Sequence, residues 1–161
     1  MVGNILDILE KSDKKLSNEQ IAQMIGSSEE EVAAIICGLE KENIIVGYKT
    51  MVNWEKTDKE LVTAIIELRV SPQRGEGFDR VAEKIYKYNQ VKSLFLMSGS
   101  YDLCVIIEGE TMKDVALFVA QKLAPMDNVL STATSFVLKK YKEDGMIFYN
   151  NEEDSRQVIT L

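Results

Sequence analysis

The 161-residue sequence contains no histidine. That absence removes Cys-His and Ser-His nucleophile pairs, histidine-bearing zinc sites and the commonest general acid/base. Cysteine is scarce as well. Cys37 and Cys104 stand far apart, each within an apolar pattern, and read as buried, reduced thiols. No apolar run approaches the roughly 18 residues that span a bilayer, and the opening MVGNILDILEKSDKK turns acidic after one helical turn, unlike a secretory signal. A cytoplasmic location without membrane contact is therefore expected. No paired carboxylates and no metal-ligand cluster can be located, so no enzyme, metal site or cofactor is expected. The net charge of −7 excludes bulk electrostatics as a source of DNA affinity, so any grip on a polyanion must come from a local arrangement.

What remains is an ordinary soluble composition, 45% hydrophobic and 28% charged, long enough for one average domain or two small ones. The first fifty residues predict three short helices. Val2, Ile5, Leu6, Ile8 and Leu9 share an apolar face. In 17-SNEQIAQMIG-26, Ser17 caps, Gln20 completes a capping box, Ile21, Met24 and Ile25 face inward, and Gly26 ends the helix. The pattern repeats at once: Ser28 caps, Glu31 supplies a second S-x-x-E box, and Val32, Ile35, Ile36 and Leu39 form the stripe. Two capped helices joined by a very short turn at a glycine predict a helix-turn-helix. The segment 44-IIVGYKTMVNW-54 alternates and predicts a wing or linking strand.

A different rhythm follows the linker. Strands are predicted over Leu61–Val70, Val91–Met97, Leu103–Ile107 and 129–142, with helices over Phe78–Tyr88 and Thr111–Leu123. The order β-α-β-β-α-β predicts a ferredoxin-like antiparallel sheet with both helices on one face, and hence an α+β fold with an N-terminal winged helix-turn-helix. The expected division is 1–50 for the DNA-binding unit, 51–60 for the linking segment, 61–142 for the sheet domain and 143–161 for a partly disordered acidic tail.

This arrangement resembles the Lrp/AsnC family of bacterial and archaeal transcription regulators. The resemblance runs from about Ile5 to Tyr141 and is carried by LSNEQIAQMIGSSEEEV, IIVGYK, SPQRGEGFDRVAEKI, VKSLFLMSGSYDL and VLSTATSFVLKKYK. It implies homodimers paired through linking strand and sheet, assembling into octamers or other higher forms. It also implies an amino acid or similar small-molecule effector bound between sheet domains, near the turn joining the second and third strands. Here that turn is Met97, Ser98, Gly99, Ser100, Tyr101 and Asp102, with Thr132 and Thr134 as neighbours on the last strand.

The residue chemistry of that turn fits a zwitterion. Ser-Gly-Ser permits a positive-φ path that exposes backbone N–H groups to a carboxylate, and Asp102 is an acceptor for an ammonium. Read alone, an SG turn between apolar strands is a simple hairpin.

The resemblance also implies double-stranded DNA as a partner. The candidate DNA-facing residues are Lys14, Lys15, Ser17, Asn18, Ser28, Glu29, Glu30, Ala33, Ala34, Cys37, Lys41 and Lys49. This surface departs from the family, in which basic side chains are common where Ala34, Ile35, Cys37 and Gly38 stand. Residues 1–50 hold five lysines against nine carboxylates, a balance of −4. Glu29, Glu30 and Glu31 suit the positive end of a helix dipole, and a glutamate can accept from cytosine N4 only beside phosphate contacts that hold it there. Binding is therefore expected to be weak per head and strengthened by assembly. The competing expectation is a sensor whose helix-turn-helix has lost DNA affinity and binds a protein partner.

Two further motifs carry less. The glycines of 73-QRGEG-77 lack the lysine-serine pair of a phosphate loop. Lys139, Lys140 and Lys142 read as a solvated strand end, and the apolar 129–138 strand as a sheet edge open to assembly.

Overall fold

The computed structural model describes residues 1–71 and 77–149, and the chain divides into two units, Met1–Val52 and Asn53–Leu161. The expectations for the 73–76 loop and for the tail beyond residue 149 lie outside the described residues. No described helix is long and apolar enough to cross a membrane.

The first unit packs α1 (Val2–Lys11), α2 (Asn18–Ile25) and α3 (Glu29–Lys41) around Ile5, Ile21, Ala22, Val32 and Ile36. Spacings of three and four residues bring these side chains to one side of each helix. Ser17 forms the predicted box: its hydroxyl accepts from Gln20 N–H, and the Gln20 side chain accepts from Ser17 N–H. Gly26 ends α2 at φ 68°, and α3 begins three residues later. The inward face of α2 includes Ala22, while Met24 is 64% exposed because it falls outside the arc that touches α1 and α3.

The second box is half-formed. Ser28 accepts from Glu31 N–H, but the Glu31 carboxylate takes the hydroxyl of Ser27 instead of returning to the cap. A nearby hydroxyl donor competes with the backbone N–H for the same oxygen. Ser17→Ala and Ser28→Ala should each lower stability by about 1 kcal/mol, read by urea denaturation with far-ultraviolet circular dichroism.

The C-terminus of α3 is closed by Asn43, a non-glycine residue at φ 55°, with Ile44 and Ile45 N–H groups donating to the Leu39 carbonyl. The alternating stretch after it forms no strand. Residues 46–53 are irregular, Val46 is 88% exposed, and Tyr48 is tied back through its hydroxyl to Glu40 at 3.0 Å. Burial, then that bond to Glu40, raises the Tyr48 pKa. A strand needs a neighbour for its ladder, and no described segment of the chain pairs with this one.

The second unit is a four-stranded antiparallel sheet in the order β2-β3-β1-β4, with β1 Val62–Val70, β2 Val91–Leu96, β3 Leu103–Gly109 and β4 Val129–Phe136. This is the topology of the β-α-β-β-α-β order. Ala64, Ile66, Leu68 and Val70 alternate onto one face with Leu103, Val105 and Ile107. That face is covered by α4 (Asp79–Tyr86) through Val81 and Ile85, and by α5 (Met112–Phe118) through Val115 and Phe118. α5 continues into a wide π turn, Val119–Leu123, closed where Ala124 N–H reaches the Val119 carbonyl at 2.8 Å. Tyr86 and Leu117, apolar members of the two helices, lie on their outer sides.

β4 is an edge strand and ends at Phe136, earlier than the alternation implies. Its last bond to β1 is Val137 N–H to the Thr63 carbonyl, one residue short of where β1 begins at Val62. The acidic tail also begins later than expected. Lys142–Glu143 (β5) and Met146–Ile147 (β6) form a hairpin about Asp144 and Gly145, both at positive φ. That Asp-Gly pair was the available sequence signal. Lys139 and Lys142 are exposed, as a solvated strand end implies, but Lys139 Nζ lies 3.5 Å from the Tyr149 ring centroid, and the half-buried Lys140 pairs with Glu143 at 2.7 Å beside Phe148.

Candidate DNA-binding face and effector turn

In the helix-turn-helix, burying Val32, Ile36 and Leu39 turns the rest of α3 outward. Glu29, Glu30, Ala34, Cys37 and Lys41 are exposed and Ala33 is half-buried, so Cys37 is not the buried thiol its apolar neighbours imply. Ser17 and Ser28 are exposed at the two N-caps, and Asn18 is half-buried. Their hydroxyl oxygens accept the cap hydrogen bonds, which leaves the hydroxyl protons able to donate. Lys14, Lys15, Lys41 and Lys49 are exposed and have no ion-pair partner among the described residues.

The turn between β2 and β3 is a braced structure. Met97 N–H donates to the Asp102 carbonyl at 2.8 Å, and Asp102 N–H to the Leu68 carbonyl at 2.9 Å. The Asp102 carboxylate accepts from Val70 N–H at 2.7 Å, so one oxygen is committed to β1 and the other remains. Arg69 donates to the Ser100 carbonyl at 2.9 Å, with its guanidinium 5.7 Å from the Tyr101 ring centroid. Met97, Ser98, Gly99 and Ser100 are exposed. Gly99 does not use the positive-φ path expected of it, and a Cβ there would meet nothing within 4 Å. The braces from β1 hold the turn without that device.

Thr132 pairs with Leu68 and Thr134 with Ile66, so both threonines lie on the helix-covered face. Leu68 in turn pairs with Leu103, which puts Thr132 at the sheet end that carries the turn, two strand spacings or about 10 Å from β3. Thr134 is farther from that end. The residue between the two halves is Arg69, opposite Ser131 on the uncovered face. Sequence reasoning missed it, because its closeness to Ser100 and Tyr101 depends on pairing residues about thirty positions apart.

The uncovered face carries Ile65 (36% exposed), Phe95 (50%), Ile106 and Cys104. Partial burial, then the neighbouring Glu67 charge, raises the Cys104 pKa, so this thiol is half-buried and poorly nucleophilic. A shallow hollow on α4, lined by Asp79, Arg80, Glu83 and Tyr86, includes none of the predicted site residues. No cluster of metal-ligating side chains occurs among the described residues.

Residues 63–147 match the family description "Lrp/AsnC ligand binding domain". The chain is 49% identical over 157 residues to the HTH-type transcriptional regulator YugG of Bacillus subtilis, covering 97% of this chain and 94% of that protein. It is 31% identical over 138 residues to the HTH-type transcriptional regulator LrpA of Pyrococcus abyssi, covering 86% and 94%. Its fold is similar to that of a transcriptional regulator from Neisseria meningitidis solved as an L-Met complex, with TM-score 0.68, 24% identity, and 88% and 90% of the two chains covered.

Proposed function

The chain belongs to the Lrp/AsnC family of HTH-type transcriptional regulators, and from that premise we propose a DNA-binding regulator whose sheet domain responds to an amino acid or a similar small zwitterion. The observation that carries the proposal is the outward face of α3, in a unit whose exposed Lys14, Lys15, Lys41 and Lys49 have no ion-pair partner among the described residues. Lys14, Lys15 and Lys49 contact phosphates, the Ser17 and Ser28 hydroxyls donate at the helix N-termini, and Ala33, Ala34, Cys37 and Lys41 face the groove. Few cations per head mean a shallow salt dependence and weak intrinsic affinity, which a dimer, octamer or other assembly multiplies. The apolar uncovered sheet face suits pairing with a second copy.

Effector bound at the 97–102 turn biases the assembly and thereby the placement of the heads. The L-Met complex of the Neisseria protein supports an amino acid as the ligand class. Gel-shift titration against the upstream region of its own gene, at low and physiological salt, tests the DNA half. Retardation no stronger than that of random DNA, with every amino acid tried, would overturn it.

A second reading, in which the helix-turn-helix binds a basic protein partner, is favoured by one observation. Glu29, Glu30 and Glu31 are all exposed on a helix that lacks arginine.

A further inference from the structure

We infer that Arg69 is the group that binds the effector's carboxylate, an inference that rests on the effector site proposed at the 97–102 turn. Arg69 is the one cation of β1 and sits on the uncovered face at the strand's turn-proximal end. It lies one step beyond the Leu68–Leu103 pair, where Asp102 continues the register on one side and Ser131 pairs with it on the other.

Its side chain is oriented but not neutralised. One Nη donates to the Ser100 carbonyl at 2.9 Å, and the guanidinium stands over the Tyr101 ring. Both contacts are with neutral groups, and no described carboxylate lies within ion-pair distance. An arginine has five N–H donors, so one bond to a carbonyl leaves enough for a two-pronged grip on a carboxylate. Holding the fork in place beforehand lowers the ordering cost that a free arginine would incur on binding.

The nearest acid in the register, Asp102, is turned aside by its bond to Val70 N–H. A cation and a carboxylate on neighbouring strands, roughly 5 Å apart by backbone and not joined to each other, match the two ends of an amino acid. Asp102's second oxygen takes the ammonium and Arg69 the carboxylate. The register also separates Arg69 and Ser131 from Thr132 and Thr134, which occupy the other face. Ser131 is therefore the β4 hydroxyl nearer the ligand.

The alternative is that Arg69 only braces the turn. A lysine can brace by donating to Ser100, but it cannot grip a carboxylate with two parallel bonds, and glutamine can hydrogen-bond without charge. The test is a thermal-shift and calorimetric titration of the full chain with the twenty amino acids, at constant protein concentration. The responding amino acid is then compared with its decarboxylated amine, for wild type, Arg69→Lys and Arg69→Gln. The expected result is stabilisation of wild type by the acid and not the amine. Arg69→Gln should weaken binding more than about tenfold, with Arg69→Lys intermediate and its ligand-free melting temperature near that of wild type. Wild-type-like affinity in Arg69→Lys and Arg69→Gln, or equal binding of the amine, overturns Arg69 as the anchor while leaving the effector reading intact. If no amino acid stabilises wild type, the effector reading falls and this inference falls with it.

Discussion

Ile66→Ala should lower the unfolding free energy of the sheet unit by about 2–5 kcal/mol, the cost of removing buried methyl groups and leaving a cavity. Ile66 is fully buried on the central strand, between β3 and β4 and beneath the helices. The neighbouring Ile65→Ala removes a side chain of the same composition from the uncovered face, where Ile65 is 36% exposed, and in a single copy should cost about 1 kcal/mol or less. The sole tryptophan, Trp54, belongs to the same unit and reports both in urea denaturation. Equal losses for the two variants at every protein concentration would contradict the one-sided burial of β1. A loss at Ile65 that grows with protein concentration would instead identify that face as covered in an assembly.

Neutralising the start of α3 should tighten DNA binding about eightfold at low salt. Glu29 and Glu30 are exposed in the first turn of α3, whereas Glu31 is engaged by Ser27 and is best left in place. A carboxylate about 7 Å from a phosphate, in surroundings close to water, opposes binding by roughly 0.6 kcal/mol. Removing two through Glu29→Gln/Glu30→Gln therefore yields a gain of about 1.2 kcal/mol, which should largely vanish near 0.5 M salt as screening shortens. The same change removes favourable interactions with the helix dipole, so thermal stability should fall slightly while affinity rises. Fluorescence anisotropy with a labelled duplex across a salt series measures the first effect, and circular dichroism melting the second. Unchanged affinity at low salt would place this end of α3 away from phosphate and favour the protein-partner reading.

The contrast between the caps shows how far local sequence reaches. Ser17, Gln20 and Gly26 act on backbone groups within four residues, and all three do in the fold what their spacing implies. Glu31 follows the same spacing rule and departs from it, because Ser27 offers a competing donor that the S-x-x-E pattern does not weigh. The stretch 44–54 forms no strand within the single chain for a longer-range reason: its alternation describes side chains suited to a wing or linking strand, but a strand exists only where a second one supplies its hydrogen bonds. The Asp144-Gly145 pair marks a hairpin by its tolerance of positive φ, a local signal that the acidic residues around it do not remove.

By itself the sequence determined the helices, the order of the strands, the sheet topology they imply and the family to which the chain belongs. Those follow from periodicity and capping, which operate between residues close in the chain. Tertiary structure alone decided how the turn between β2 and β3 is held. Val70 claims one oxygen of Asp102, Arg69 reaches Ser100 and Tyr101, and Thr132 and Thr134 take the opposite face from Arg69. Each depends on strand register across thirty or more residues, and a slip of one position would turn every side chain to the other face.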